Sequence, residues 1–275
     1  MKMKIKKNLK IIIPILIIII CFVFLIISII NITKWKMDSN KTEKQIESIE
    51  DKVEVLEVED SDNIEIIQQE EEIDDFDPYF DYINMNLINV DFKELKIMNK
   101  DTKGWIQVNG TNINYPFVQT SNNDYYLNHS FDRSYNQAGW VFLDYRNNID
   151  TLDKNTILYA HSRLDTTMFG SLRRILKSSW VNNETNHVIK LSTESANTLW
   201  QVFSAYVIPT TNDYIQVNFS SLEEFDTWVN MIKNRSFVNF NTSVNEKDHI
   251  LTLSTCYDDE KKTVLHAKLI KKEAK

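Results

Sequence analysis

Short apolar runs recur along the second half of the chain and predict β-strands. The runs Gly104–Val108 and Ile113–Val118 flank Asn109-Gly110, and Asn-Gly between two alternating runs is a strong hairpin signal. Further strands are predicted at residues 138–144, 155–160, 188–191, 199–208 and 250–255, and residues 263–270 alternate as an edge strand does. The pattern is that of a mostly β domain.

One segment within this β-rich region has helical spacing instead. Ser220-Ser221-Leu222-Glu223 has the form of a capping box, and an apolar stripe with helical spacing follows at Leu222, Phe225, Val229 and Ile232. Helical patches are also expected around residues 79–86 and 92–99, and a helical turn at 168–176. Many short strands with one inserted helix predict a closed β-barrel of mixed pairing.

The N-terminus has the pattern of a membrane anchor. Five lysines precede a nearly uninterrupted apolar run, Ile11 to Ile30, and about 20 helical residues span a hydrocarbon core of about 30 Å. A cleaved signal peptide shares this pattern, but Ser28 to Thr33 offers no convincing cleavage site. We therefore expect a cytoplasmic N-terminus at 1–10 and a transmembrane signal anchor at 11–32, with the rest outside the cell.

The charge is concentrated after this anchor. Of the net charge of −8, residues 38–77 contribute 17 acidic residues against three lysines, whereas the rest of the chain after residue 77 is nearly neutral. We expect residues 33–77 to form an acidic, solvated stalk, partly helical along Ile46, Ile49, Val53 and Leu56, and residues 78–275 to form the folded domain. No basic stripe predicts binding to nucleic acid.

A single cysteine lies outside the predicted membrane span. Cys256 ends the apolar strand 250–255 and precedes a Tyr-Asp-Asp turn, while Cys21 lies within the span. A thiol at a strand end can be reached by substrate and ionised by a neighbouring cation or imidazole. A small buried hydrophobe is the other interpretation of a lone cysteine.

A histidine ends another short strand, and the pair carries a family resemblance. Residues 155–160 lead into His161, and two strands that each end in one member of a Cys/His pair form a more specific signal than either alone. Thr252-Leu253-Ser254-Thr255-Cys256 and Tyr159-Ala160-His161 resemble the signature strands of sortases, over roughly residues 99–270. The helix before the cysteine strand resembles the insertion of class B sortases, so the expected fold is a sortase-type barrel of about eight strands with N-terminal helices.

This resemblance implies acyl transfer by a cysteine transpeptidase. Cys256 would attack a threonine carbonyl in a C-terminal sorting signal and form a thioester, and His161 would protonate the leaving amine. An amine of the Gram-positive cell wall, or a lysine of a pilin subunit, would then accept the protein. The expected partners are therefore secreted proteins with sorting signals, and the enzyme sits in the cell membrane.

The chain departs from the family at one position. Sortases carry an arginine on the strand after the cysteine, but no arginine follows Cys256 here. Lys262 is the candidate replacement, and Arg163 could reach the site from the other side; Thr255 and Ser254 are candidate substrate contacts. Because lysine lacks the planar fork of arginine, a lysine-dependent enzyme, a slow enzyme and a non-catalytic barrel that binds sorting signals or envelope partners remain open. A hydrolytic cysteine protease, which would use the same Cys/His pair, is a further alternative.

Other candidate groups are weaker. His129 lies in a polar loop, His266 lies within a strand, and Asp258 and Asp259 are more typical of a turn than of a metal site. No His/Cys cluster has zinc spacing, and four glycines provide no phosphate loop. We therefore expect no cofactor and no metal site.

Overall fold

The computed structural model describes residues 2–58, 63–67, 82–258 and 260–275, with side chains from Ile13 onward. The predicted domain boundary at 77/78, the start of the patch at 79–86 and the turn residue Asp259 lie outside the described residues. The described strands are β1 (Val55–Val58), β2 (Ile64–Ile66), β3 (Leu87–Val90), β4 (Thr102–Val108), β5 (Asn114–Val118), β6 (Phe142–Leu143), β7 (Asn155–Tyr159), β8 (Val188–Thr193), β9 (Ala196–Pro209), β10 (Ile250–Cys256) and β11 (Lys261–Ala274).

Eight of these strands close a barrel of mixed pairing. Their order is β10-β7-β6-β5-β4-β8-β9-β11, and β11 pairs back onto β10 to complete the ring. The pairs β7–β10 and β5–β6 are parallel, and the others are antiparallel. Strand β2 extends β11 outside the barrel, and β1 pairs with β3. The predicted closed, mostly β barrel is confirmed.

The apolar runs account for most of the strands. The β4–β5 hairpin forms as predicted, with Gly110 at a φ of +70° where glycine is favoured. The predicted strand at 138–144 is shorter, since only Phe142–Leu143 pair. The prediction that residues 263–270 form an edge strand is wrong, because β11 pairs with β9 on one side and β10 on the other. Buried polar residues on β11, such as His266 and Lys268, produced the misleading alternation.

The α-helices whose bounds are described are α1 (Lys2–Glu50), α2 (Lys93–Met98), α3 (Ser178–Val181) and α4 (Leu222–Asn234). Helix α4 is the predicted insertion, with its capping box one residue later than expected. The Ser221 hydroxyl accepts from the Glu224 N–H at 3.1 Å, and the Glu224 carboxylate accepts from the Ser220 N–H at 2.6 Å. Its buried face, Phe225, Trp228, Val229 and Ile232, packs on β9, β10 and β11, whereas Leu222 is exposed.

The segment after the apolar run differs from the expected solvated stalk. Helix α1 continues to Glu50, and Thr42 and Ile49 are buried against the barrel. The Asn136 amide donates to the Thr42 hydroxyl at 3.0 Å, while Ile49 and Val53, spaced one helical turn apart, join the main core. The burial of Ile49 and Val53 outweighs the repulsion among the acidic side chains, from which an extended stalk was expected. Residues 39–58 therefore belong to the folded body.

The first part of α1 lies apart from this body. Among the described residues, it is the one helix that is long and apolar enough to cross a membrane, with a mean hydropathy of 3.5 over its most apolar window. All its large apolar side chains from Ile13 to Ile32 are exposed.

Candidate active site

Two parallel strands bring His161 and Cys256 to the same end of the barrel. The β7–β10 register pairs Tyr159 with Ser254, and His161 and Cys256 each follow two residues later. Equal offsets from a parallel pair place the two side chains level with each other. Both line one cavity of about 320 Å³.

A tight turn places Lys262 directly opposite Cys256. The β10–β11 register pairs these two residues, and the Lys262 Nζ lies 3.0 Å from the Cys256 Sγ. Asp258 Oδ1 accepts from the N–H groups of Glu260 and Lys261 at 2.9 and 2.8 Å, which holds the turn closed. Asp258 is thus a turn residue, and the short loop presents the ammonium group to the thiol.

The imidazole of His161 is oriented by the segment before β6. Its Nε2 lies 2.7 Å from the Leu127 carbonyl oxygen, and because a carbonyl only accepts, Nε2 carries a proton. Gly139 packs against the ring, and a Cβ there would lie 3.1 Å from His161 Cδ2 and 2.5 Å from the Tyr126 oxygen. With a φ of +61°, Gly139 permits a close approach that a larger residue would prevent.

The predicted substrate contacts Ser254 and Thr255 line the cavity but have partners within the protein. The Thr255 hydroxyl donates to the Ala160 carbonyl at 2.8 Å, which ties β10 to the residue before His161. The Ser254 hydroxyl pairs with the Tyr214 hydroxyl at 2.9 Å. Burial raises the pKa of Tyr214, so this phenol is a neutral hydrogen-bonding group.

Arg163 does not reach the site. Its guanidinium forms an ion pair with Asp165 at 2.9 Å, hydrogen-bonds to Ser39 of α1 at 2.5 Å and lies over the Trp35 ring. It is absent from the lining of the cavity. Asp165, only two residues away, turns this arginine toward α1.

The weaker histidine candidates also lie elsewhere. His129 bonds to the Tyr125 carbonyl at 2.7 Å and stacks on the Tyr125 ring. His266 is fully buried. The Thr252 hydroxyl donates to Asn155, so the same hydroxyl accepts from His266 Nδ1. The Tyr206 hydroxyl donates to His266 Nε2. Burial lowers the pKa of His266 to about 3, which keeps this imidazole neutral.

Several residues of the cavity carry no local sequence signal. The loop after β9 supplies Thr210, Thr211, Asn212, Tyr214 and Ile215, and the opposite wall includes Asn123 and Leu127. The buried carboxylate of Asp144 braces this wall by accepting from Tyr159 and Asn123 at 2.9 and 3.0 Å. These mixed apolar and polar loop residues have no regular spacing in the sequence, so only the fold reveals that they line the cavity.

Within the described residues, no group of three His, Cys, Asp or Glu side chains is arranged to hold a metal ion. The chemistry available at the cavity is that of a thiol, an imidazole and an ammonium group. A thiol flanked by a cation and an imidazole is suited to nucleophilic attack on a carbonyl. Fold and site together define a cysteine acyl-transfer enzyme on a closed β-barrel.

Comparison with known proteins identifies the family. The Sortase domain model matches residues 106–270, and the chain belongs to the sortase family. It is 39% identical to Sortase B of Staphylococcus aureus over 184 residues, which cover 66% of this chain and 75% of that protein. Sortase B of Listeria monocytogenes is 37% identical over 189 residues, with the same coverage.

Solved structures give the same result. A crystal structure of sortase B complexed with triglycine matches with a TM-score of 0.62 and 38% identity, covering 66% of this chain and 85% of that one. A Staphylococcus aureus sortase B–substrate complex matches with the same TM-score and identity, covering 66% and 84%. The chain is thus a class B-like sortase, a family of cysteine transpeptidases.

Proposed function

We propose that this sortase cleaves a C-terminal sorting signal at a threonine carbonyl and transfers the protein to an amine of the cell wall or of a pilin subunit. The observation that carries the proposal is the 3.0 Å contact between Lys262 Nζ and Cys256 Sγ, in a cavity that His161 also lines. Each of the three groups has a distinct task in the two half-reactions.

Acylation begins with the thiolate of Cys256. The Lys262 ammonium group lies in contact with Sγ, so it can attract negative charge on the sulfur as the reaction begins. As Sγ attacks the threonine carbonyl, negative charge moves from sulfur to the carbonyl oxygen, and the mobile ammonium group of Lys262 can follow it. A lysine provides one point charge for both stages, where arginine would offer a planar fork.

Collapse of the tetrahedral intermediate requires a proton on the departing nitrogen. His161 in its imidazolium form supplies this proton, the carbon–nitrogen bond breaks, and the thioester remains on Cys256. The accepting amine then attacks the thioester while His161 takes its proton. The new amide leaves, and the Cys256 thiolate and the imidazolium are restored, so atoms and charge balance.

The cavity wall suits an extended peptide. Leu127, Tyr159 and Ile215 provide apolar contacts, and Ser254 and Thr255 stand beside the nucleophile. Because the hydroxyls of Ser254 and Thr255 are already bonded to Tyr214 and Ala160, we assign these two residues to shaping the floor under the substrate threonine. Arg163 has no role in substrate binding in this proposal.

The proposed location is the cell membrane of a Gram-positive bacterium. The apolar part of α1 at 11–32 would span the bilayer, with the lysine-rich residues 1–10 in the cytoplasm and the barrel outside. The sortase B relatives come from Staphylococcus aureus and Listeria monocytogenes. Protease treatment of intact cells should remove the barrel and leave the N-terminal segment protected; barrel resistance in intact cells would contradict this topology.

Transpeptidation by the full chain in detergent tests the reaction. Peptides with varied residues around a central threonine are incubated with triglycine as the amine, and products are read by mass spectrometry. The proposal predicts an amide product that Cys256→Ala abolishes. Release of free acid alone would indicate a hydrolase, and peptide binding that survives Cys256→Ala without any product would indicate a binding barrel.

A further inference from the structure

We propose that Arg173 is a positioning residue that fixes the distance between the two catalytic strand ends; this inference rests on the proposed function. Its Nε donates to the Ser162 hydroxyl at 2.9 Å, and its Nη2 donates to the Tyr257 carbonyl oxygen. Ser162 directly follows His161, and Tyr257 directly follows Cys256. One guanidinium group therefore joins the residues adjacent to both catalytic side chains.

The pairing of the strands explains why such a link matters. The β7–β10 ladder ends at the Tyr159–Ser254 pair, so His161 and Cys256 lie beyond the last paired residues. The Thr255 hydroxyl still reaches Ala160, one residue short of the catalytic pair. Arg173 provides the next connection along this edge, at the point where the backbone ladder no longer sets the spacing.

The side chain is well suited to this task. Guanidinium presents its donors in a rigid plane, so two bonds to two segments fix their relative positions more strongly than a flexible ammonium could. The Tyr257 ring lies 5.5 Å from the guanidinium carbon and adds a cation–π contact. In the described part of the chain, Arg173 forms no ion pair with a carboxylate. Its hydrogen-bond partners, Ser162 and Tyr257, both belong to the two strand ends.

Arg173 is itself held by a fixed element. It lies in a 3₁₀ helix, Gly170–Leu176, whose Leu172 and Ile175 are buried in the core. The Phe169 N–H donates to the His161 carbonyl at 3.0 Å, which returns the chain to the histidine just before this helix. A Cβ on Gly170 would overlap the Arg163 carbonyl, so the tight path depends on glycine.

Neighbouring Arg174 provides a matched control. It is half-buried in the same 3₁₀ helix, but its Nη1 donates to Asn112 at 2.9 Å, away from both strand ends. The variants Arg173→Gln, Arg173→Lys and Arg174→Gln are prepared as full chains in detergent with Cys21→Ser, so that Cys256 is the single thiol. The substrate is the threonine peptide that gives product with the wild-type site.

We expect Arg173→Gln to lower kcat by about 10- to 100-fold, because a small misplacement of reacting groups has effects of this size. KM should stay within about twofold, since Arg173 lies outside the cavity lining and a misplacement of the reacting groups weakens the transition state rather than substrate binding. Arg173→Lys should recover part of the loss by keeping one of the two bonds, and Arg174→Gln should match the parent. Equal kcat in Arg173→Gln and Arg174→Gln would overturn the proposal.

Two further measurements keep the test decisive. Ser162→Ala removes one acceptor while Arg173 remains. In the double variant, the decrease in kcat should be smaller than the two single decreases combined; full additivity would contradict a shared role. Alkylation of Cys256 by iodoacetamide requires no peptide. The rate of this alkylation should change by more than about threefold in Arg173→Gln but not in Arg174→Gln. If wild type forms no product yet this alkylation difference holds, the proposed function fails while the positioning role stands.

Discussion

Replacing Lys262 with methionine removes the ammonium group beside the Cys256 thiol and keeps most of the length of the side chain. At 3.0 Å, attraction between Lys262 and a Cys256 thiolate amounts to about 1.4 kcal/mol in bulk water and about 5.5 kcal/mol at an effective permittivity of about 20. Both residues are partly exposed, so solvent screening favours the lower figure. That figure alone corresponds to an effect of about tenfold on rate.

Loss of the same group from the oxyanion sets the upper limit of the effect. Removal of one oxyanion donor typically costs about 10²–10³ in rate. We therefore expect Lys262→Met to slow acylation by at least about tenfold and up to about 1,000-fold. Lys262→Arg keeps the charge and adds a planar fork, so it should retain or increase the rate.

The assay is single-turnover acylation of the full chain in detergent by a threonine peptide, followed by intact mass. Lys261→Met is the control, because Lys261 is the exposed neighbour on β11 and adjacent strand residues point to opposite faces. It should leave the rate within about twofold of wild type. A Lys262→Met variant as fast as the Lys261→Met control would refute a catalytic role for this lysine.

Three further predictions follow from burial and backbone geometry. Because burial holds the pKa of His266 at about 3, below the value of about 6.5 in the unfolded chain, the unfolded state binds the extra proton and stability falls as pH drops below about 6.5. Between about pH 6.5 and pH 5, this group should cost about 2 kcal/mol in urea unfolding, and His266→Gln should flatten that slope; an unchanged slope would contradict it. Ile49→Ala should cost about 2–5 kcal/mol in the same assay, whereas Ile97→Ala, at an exposed helix position, should cost under about 1 kcal/mol; equal losses would show that α1 does not pack on the barrel. Gly139→Ala should lower kcat more than Gly110→Ala, since both have positive φ but the added Cβ would meet the His161 imidazole only at Gly139; equal kcat values would count against this.

The spacing of apolar residues predicted the barrel and the inserted helix, because each strand and the helix has a regular apolar pattern within its own segment. Strand β11 departs from its apolar pattern, because His266 and Lys268 are polar yet buried. The burial of His266 depends on partners such as Thr252 and Tyr206 from other strands, which a local pattern cannot show. The acidic composition of residues 38–77 likewise favoured a solvated stalk, although Ile49 and Val53 pack on the core.

Part of the candidate site can be predicted from the sequence, and part of it only from the structure. Cys256 and His161 stand at the ends of recognisable strands, and the short turn made Lys262 the candidate cation; the structure brings the three together, and their roles stay proposals. Arg163 lies only two residues beyond His161 in the chain, but Asp165 and Ser39 bind its guanidinium group away from the cavity. Arg173 had no signal at all, since it lies 84 residues from Tyr257 in the chain.

The proposed function requires that Cys256 forms an acyl-enzyme at a threonine carbonyl. Intact mass of the full chain after incubation with the threonine peptide library measures this directly, with Cys256→Ala as the control and a small methanethiosulfonate to confirm that the thiol is accessible. We predict a mass gain equal to the acyl fragment in the wild type and none in Cys256→Ala. An accessible Cys256 thiol that acquires no acyl fragment from any peptide of the library would contradict the account.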